Sequence, residues 1–187
     1  MDTGPFGGDK MWRSIIISGL FLAACASPAA VTTTHLVAAD AATSLAVGDR
    51  VTQMTSSQSA SEGMDPIVNF SLRHADGRSL IFQEGNHTQH DLMATAPGGP
   101  LAQIMGLPGD ATTRLYHATS GENASESAFF CGPQGPAAIG THEGADGVLL
   151  VVGLREAIQF ETRPDGEMEA APYSPDKVCA RLRFRRG

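Results

Sequence analysis

The 187 residues are 42% hydrophobic and 18% charged, and 13 Lys and Arg stand against 20 Asp and Glu for a formal net charge of −7. This balance excludes a disordered polyanion, and the lack of repeated apolar runs of about 20 residues excludes a polytopic membrane protein. The 21 glycines and 11 prolines predict frequent turns and short helices. A chain of this length fits one folded domain with a short appendage.

The first thirty residues are typical of an export signal. Lys10 and Arg13 precede an apolar run of about ten residues that begins at Ile15. As a helix this run is about 15 Å long, which is half the thickness of the hydrocarbon core, so it is too short to span a bilayer. The start codon stays open between Met1 and Met11, because residues 1–9 add two aspartates to a region that is normally basic.

The apolar run ends at a cysteine. The stretch Leu22-Ala23-Ala24-Cys25 resembles the lipobox of bacterial lipoproteins, in which an aliphatic residue and two small residues precede a cysteine. The resemblance covers residues 11–25 and implies that the thiol of Cys25 receives a diacylglyceryl group, that a peptidase cleaves before it, and that the new amino terminus is acylated. Anchors with two or more chains hold a protein durably in its bilayer.

The residues after Cys25 lack the aspartate that retains lipoproteins of this family at the inner membrane of enterobacteria. The resemblance therefore implies an outer-membrane lipoprotein that faces the periplasm. The alternative is an ordinary signal peptide cleaved after Ala26, which would discard the cysteine and leave a soluble periplasmic protein.

The chain is predicted to divide into three parts. Residues 1–24 form the signal peptide, residues 25–63 form the lipid anchor and a flexible tether, and residues 64–187 form an antiparallel β domain. The tether is predicted because residues 26–62 are rich in Ala, Ser and Thr and poor in large apolar side chains. Only Leu45–Val51 interrupts it, as a short strand or helix.

Two hairpins are predicted from apolar runs on either side of an Asp-Gly pair. The first joins residues 67–72 and 79–84, and the second joins residues 137–142 and 148–154. Further strand candidates are residues 91–95, 112–118, 127–131, 157–160 and 177–185, and residues 100–106 are a candidate helical turn. Strands at such short intervals predict a mainly β fold, as a small antiparallel sandwich or barrel, with α+β as the alternative.

Two cysteines remain once Cys25 carries lipid. Cys131 and Cys179 lie 48 residues apart and would meet the oxidising periplasm, so we predict a disulfide between them. The alternative is a pair of free thiols in a metal or redox site, although the sequence has no Cys-x-x-Cys spacing.

The last predicted strand is basic. Strict alternation would place Val178, Ala180, Leu182 and Phe184 inward and would place Cys179, Arg181, Arg183 and Arg185 outward. The outward arginines either pair with carboxylates of the adjacent strand or contact lipid phosphates or another anionic partner. Nucleic acid is not an expected partner, because the chain is acidic and carries an export signal.

Residues 84–93 hold the densest group of side chains that can ligate a metal. His87 and His90 lie there among carboxylates and a methionine, which suit copper or zinc, and the alternative is an ordinary polar loop. The sequence holds no Gly-x-Ser-x-Gly, no Ser-x-x-Lys and no cysteine placed as a nucleophile. We therefore predict neither a catalytic residue nor a cofactor.

These observations predict a lipid-anchored protein of the cell envelope with a binding or interaction domain that is not catalytic. Its partners would be the membrane, through the lipid, and an unknown envelope protein or ligand. Two alternatives stay open, namely a periplasmic metal-binding protein or enzyme that uses His87 and His90, and a structural component of an envelope assembly.

Overall fold

A computed structural model describes residues 30–58, 67–85, 88–119 and 130–187. Its strands are β1 (Ala30–Ala38), β2 (Arg50–Gln58), β3 (Ile67–His74), β4 (Ser79–Glu84), β5 (Arg114–Ala118), β6 (Ala138–Glu143), β7 (Val148–Leu154), β8 (Phe160–Thr162), β9 (Met168–Ala170) and β10 (Val178–Arg186). Its helices are α1 (Ala41–Val47), α2 (Gln89–Thr95) and α3 (Pro100–Met105), and a single 3₁₀ turn covers Pro175–Lys177. Among the described residues, no helix has the length and apolar character needed to cross a bilayer.

Eight strands form a closed antiparallel barrel in the order β1-β10-β7-β6-β5-β4-β3-β2. From β1 to β7 each strand pairs with the next along the chain, and β10 closes the ring by pairing with β7 and β1. The short strands β8 and β9 form a separate hairpin between β7 and β10. The prediction of a mainly β fold is confirmed, and the structure selects the barrel over the sandwich.

The inside of the barrel is filled by apolar side chains that alternate along its strands. Both predicted hairpins are confirmed as β3–β4 and β6–β7. Each strand turns every second residue inward, because successive side chains of a strand point to opposite faces. The buried inward residues are Leu36, Val51, Phe70, Leu72, Leu80, Phe82, Tyr116, Ile139, Val151, Leu182 and Phe184.

A second apolar cluster lies on the outer face of the barrel, where α2 and α3 cover β5, β6 and β7. It joins buried residues of the strands and the helices to Ile158, in the segment that leads into β8; the strand and helix members are Leu115, Ala138, Val152, Leu154, Ala94, Leu101 and Met105. The apolar run 148–154 is therefore buried on both faces, as its composition predicts. The cluster holds the helix pair against the barrel wall.

The prediction of a flexible tether up to residue 63 is wrong for residues 30–58. These residues form β1, α1 and β2, and the two strands close the barrel between β10 and β3. They are difficult to recognise because β2 is mostly Thr, Ser and Gln and β1 has three successive threonines among mostly small apolar residues. Each strand contributes one buried large apolar residue to the interior, Leu36 and Val51. Neighbouring strands supply the rest of the core around them. The predicted element at 45–51 divides between the end of α1 and the start of β2.

The five further strand predictions have mixed outcomes. Residues 91–95 are wrongly predicted, because they belong to helix α2. The candidate at 157–160 is also wrong, since β8 begins only at Phe160. Of 127–131, only residues 130 and 131 are described, and they are not in a strand. The strands at 112–118 and 177–185 are confirmed as β5 and β10, and the helical turn at 100–106 is confirmed as α3.

The predicted disulfide is formed in the structure, with 4.9 Å between the Cα atoms of Cys131 and Cys179. A register shift between Val178 and Ala180 turns Cys179 toward the interior cluster, while Val178 packs in the outer cluster. The predicted orientations of these two residues are therefore wrong, because strict alternation does not allow for a β-bulge. Gly153 is required beside the disulfide, since a Cβ there would lie 2.5 Å from Sγ of Cys131.

The arginines of β10 do not form one uniform stripe. The guanidinium of Arg181 donates hydrogen bonds to the carbonyl oxygens of Met105 and Ile104 at the end of α3. It therefore ties the helix pair to β10, which is a structural use of the side chain. Arg185 is also exposed, but its side chain makes no hydrogen bond or ion pair among the described residues.

Candidate functional site

A cleft lies outside the barrel between α2, the outer face of β5 and the segment that leads into β8. Its volume is about 380 Å³, and we call it the α2–β5 cleft. Its lining residues are Gln83, Glu84, Gly85, Thr88, His90, Asp91, Ala94, Leu115, His117, Ala157, Ile158, Gln159 and Phe160. A cleft with an apolar wall and a few convergent polar groups is the usual form of a small-molecule site.

A histidine and an aspartate pair at the floor of this cleft. Nε2 of His117, on the outer face of β5, lies 2.7 Å from Oδ1 of Asp91. Asp91 is only 6% exposed and occupies the third position of α2. Its other oxygen accepts a hydrogen bond of 2.8 Å from the hydroxyl of Thr88, which caps the helix. This reciprocal capping box holds the carboxylate of Asp91 in position for its hydrogen bond with His117.

Gly85 makes the close approach of this pair possible. The residue follows β4 and is buried directly beside the pair. A Cβ at this position would lie 2.6 Å from Nε2 of His117 and 3.2 Å from Cγ of Asp91. The first of these distances is too short for a real contact, so any side chain here would displace the imidazole.

The hydrogen bonds around Asp91 favour its ionised form. Burial opposes ionisation of the carboxyl, but the hydrogen bonds from His117 and Thr88 outweigh it and lower the pKa of Asp91 below its usual value. An ionised carboxylate only accepts hydrogen bonds, so the proton of the pair resides on Nε2 of His117. In the neutral imidazole Nδ1 is then an acceptor. It has no hydrogen-bond partner among the described residues.

The walls of the cleft combine aromatic, aliphatic and acidic groups. The rings of His90 and Phe160 stack with their centroids 5.1 Å apart and an interplanar angle of 24°. Leu115 and Ile158 are buried in the outer apolar cluster below them. Glu84 also lines the cleft, but its side chain follows the inward alternation of Leu80 and Phe82, and its carboxylate lies 3.6 Å from the guanidinium of Arg114. The cleft therefore offers hydrogen-bond acceptors beside a flat apolar wall.

The structure describes only some of the residues that the sequence predicts to act at a site. Cys25 and His87 lie outside the described residues, whereas His90 lies on α2 and lines the cleft. The part of the chain that the structure describes contains no group of three or more His, Cys, Asp or Glu that could hold a metal ion. The pairing of His117 with Asp91 was not predicted. The available signal was Thr88 three residues before Asp91, which marks a helix start.

The pairing of His117 with Asp91 predicts how the stability of the fold depends on pH. Because the pKa of Asp91 is lower in the folded state than its usual value, its ionised hydrogen bonds stabilise the fold at neutral pH, and this contribution is lost as the pH falls through the folded-state pKa. We expect Asp91→Asn to be less stable than wild type at pH 7 and the difference to shrink below about pH 4. Urea unfolding across this pH range measures it. Asp110→Asn, at an exposed position, is the matched control. A difference that does not vary with pH would contradict the assignment.

Comparison of this chain with protein-family models, with curated proteins and with solved structures gives no match.

Proposed function

We propose that this chain is a lipid-anchored protein of the cell envelope whose barrel binds a small ligand in the α2–β5 cleft without converting it. The observation that carries the proposal is the fixed pair of His117 and Asp91 at the floor of a cleft with an apolar wall. The one hydroxyl side chain among the described lining residues, Thr88, is engaged with Asp91 as a helix cap. The cleft therefore offers recognition groups in place of a free nucleophile.

The lipid anchor is supported by the sequence around Cys25 and by the disulfide. The stretch that resembles a lipobox ends at Cys25, only five positions before the first residue of β1. A disulfide between Cys131 and Cys179 fits an oxidising compartment such as the periplasm. The disulfide supports a compartment outside the cytoplasm, and the absence of an aspartate after Cys25 favours the outer membrane facing the periplasm, with the soluble periplasm as the alternative.

Replacing Cys25 tests the anchor directly. We expect the wild type to fractionate with membranes and to carry a lipid on Cys25, and we expect Cys25→Ser to lose both properties, because no thiol remains for the diacylglyceryl group. Membrane fractionation and intact-mass measurement of the native protein provide the readouts. Ser27→Ala, two residues away, is the matched control and should still be lipidated. A wild-type mass without lipid would reject the anchor.

The chemistry of the cleft restricts the ligand. Nδ1 of His117 is an acceptor while the imidazole is neutral, the buried carboxylate of Asp91 lies behind it, and no Lys or Arg is among the described lining residues. A ligand must therefore bring donors, such as hydroxyl groups or an ammonium group. The wall formed by Phe160 and Ile158 suits the apolar face of a small ring. We propose an amine-bearing sugar or a cyclic compound with the same groups as the ligand class.

Titration of ¹⁵N-labelled protein with glucosamine tests this ligand class. We expect shifts of the amide signals of Ala94, Leu115 and His117, with weaker shifts for glucose, which lacks the ammonium group. His117→Gln should abolish the effect because it removes the imidazole that Asp91 orients. His35→Gln is the control, since this histidine lies on β1, away from the cleft. Equal shifts in wild type and His117→Gln would reject the cleft as the site.

Metal binding is a second candidate function, and the hydrogen bond that orients His117 favours it. Metal-bound histidines commonly donate their other ring N–H to a carboxylate, as His117 does to Asp91. His90 lines the same cleft and would be a second imidazole. Zinc chloride added in the same titration separates the candidates. Binding of one equivalent at micromolar zinc that is lost in both His117→Gln and His90→Gln favours the metal, and unchanged spectra reject it.

A further inference from the structure

The outer wall of the barrel carries three exposed arginines and an exposed histidine on four adjacent strands. His35 lies on β1, Arg50 on β2, Arg73 on β3 and Arg185 on β10, and all four are exposed. We call them the basic face. They point outward because their neighbours along the strands are buried inward, namely Leu36, Val51, Leu72 and Phe184.

The register of the strands brings these four side chains together. Val37 pairs with Arg50 on one side and with Arg185 on the other. Thr52 pairs with both His35 and Arg73 in the next row. Since adjacent strands lie about 4.8 Å apart, the basic face is about 15 Å wide. A groove of about 830 Å³ runs along it and is lined by three of its four members, His35, Arg50 and Arg73.

The arginines of the basic face are not held in ion pairs in the part of the chain that the structure describes. Within the described ranges, no ion pair is formed by Arg50, Arg73 or Arg185. The acidic side chains closest along the chain are engaged elsewhere, since Asp49 accepts a hydrogen bond from Ser44 and Asp76 pairs with Arg78. Like charges on adjacent strands repel each other. On a chain of net charge −7, such a face is suited to an anionic partner.

The position of Cys25 indicates which anionic partner lies close to the basic face. β1 starts at Ala30, so the chain from Cys25 to the barrel reaches at most about 18 Å even when fully extended. A lipid on Cys25 would therefore keep the Ala30 end of β1 close to the bilayer. At this range an acidic protein is repelled by an anionic leaflet, unless its basic side faces the membrane. His35 and Val37 lie on β1 itself, at the sixth and eighth of its nine residues, so the barrel has to lie with this wall along the bilayer for the basic face to reach it.

We propose that the basic face docks on the phosphate groups of anionic phospholipids in the bilayer that holds Cys25, an inference that rests on the anchoring proposed above. Docking would fix the orientation of the barrel. In the ring of eight strands β5 is four positions from β1 in either direction, so the two lie on opposite sides. The α2–β5 cleft then faces away from the membrane and stays open to ligands. Guanidinium groups suit this contact because they donate paired hydrogen bonds to phosphate.

A chemically anchored protein tests docking independently of whether cells attach the lipid. In the chain from Cys25 onward, which contains the whole barrel, Cys25 is the only thiol outside the disulfide and can be coupled to a maleimide phospholipid in nanodiscs. The discs carry a gadolinium-chelating lipid and contain phosphatidylcholine with or without phosphatidylglycerol. Amide relaxation reports the distance of each residue from the membrane. We expect several-fold faster relaxation at His35, Arg50 and Arg73 than at Leu115 and His117 in the anionic discs.

Two variant pairs with equal net charge separate docking from general electrostatics. Arg50→Gln with Arg73→Gln should lose the difference in relaxation, whereas Arg155→Gln with Arg163→Gln, at exposed positions elsewhere, should keep it. The same relaxation pattern in phosphatidylcholine discs or in the Arg50/Arg73 variant would show that the tether alone sets the orientation, and the proposal would then be wrong. Failure of native lipidation at Cys25 would instead appear in the fractionation experiment and would leave this result unchanged.

Discussion

Replacing both Cys131 and Cys179 by alanine is expected to lower the free energy of unfolding by about 4 kcal/mol, which is the chain-entropy value for a closed loop of 48 residues. The bond joins the segment that enters the barrel at Phe130 to the first residues of β10. Both cysteines pack against the interior cluster, so their removal also loosens that end of the core. A loss of this size is a large part of the stability of a single domain.

Guanidinium unfolding of the oxidised protein, the reduced protein and the double alanine variant measures this effect. We expect the reduced protein and the variant to unfold at similarly low denaturant concentrations. Cys25→Ala in the unlipidated protein is the matched control, since it removes a thiol outside the described barrel and should leave the midpoint unchanged. A stability difference below about 1 kcal/mol between oxidised and variant protein would show that the bond adds little to a barrel that is already closed.

The second large effect is expected at Leu101 of α3. This residue is fully buried in the outer cluster between the helix pair and the barrel wall. Leu101→Ala removes three carbon atoms from a packed site, so the free energy of unfolding should fall by about 3 kcal/mol. Because the residue lies outside the barrel, this loss would show that the helix layer is part of the cooperative unit.

Leu92→Ala is the matched control for this prediction. Leu92 lies on α2, in the same layer, but it is 58% exposed. The same substitution should therefore change stability by less than about 0.5 kcal/mol. Thermal or urea unfolding of both variants gives the comparison. If Leu101→Ala melts α2 and α3 while the barrel unfolds at its normal midpoint, the helix layer is an independent unit. Glucosamine shifts should then disappear, since α2 supplies one wall of the cleft.

Hairpins and strands with clear local signals were predictable from the sequence. β3 and β4 alternate apolar residues around an Asp-Gly turn, and a second Asp-Gly turn joins β6 to the wholly apolar β7. The strands β1 and β2 lack this signal. Their polar side chains are tolerated because Thr and Ser fit a pleated surface and the neighbouring strands supply the apolar contacts. Local composition therefore indicates a tether at a place where long-range pairing forms two strands.

The candidate site was less accessible to sequence reasoning than the fold. His90 was singled out for its neighbours along the chain, and it does line the cleft. The polar pair at the floor joins His117 to Asp91 across 26 residues, and no spacing rule connects them. The pair also depends on the absence of a side chain at Gly85, in the segment that follows β4. Only the packing of α2 against β5 brings these three residues together.

The sequence by itself determined the local elements with turn signals and the identity of the two cysteines that pair. It also predicted lipid attachment at Cys25 and the location that follows from it, and this stays a prediction. The tertiary structure alone decided that the sheet closes into a barrel, that β10 contains a bulge, and that a cleft and a basic face lie on opposite walls. The physical reason is that turns and alternation depend on neighbouring residues, whereas ring closure and cross-strand register depend on contacts between distant parts of the chain.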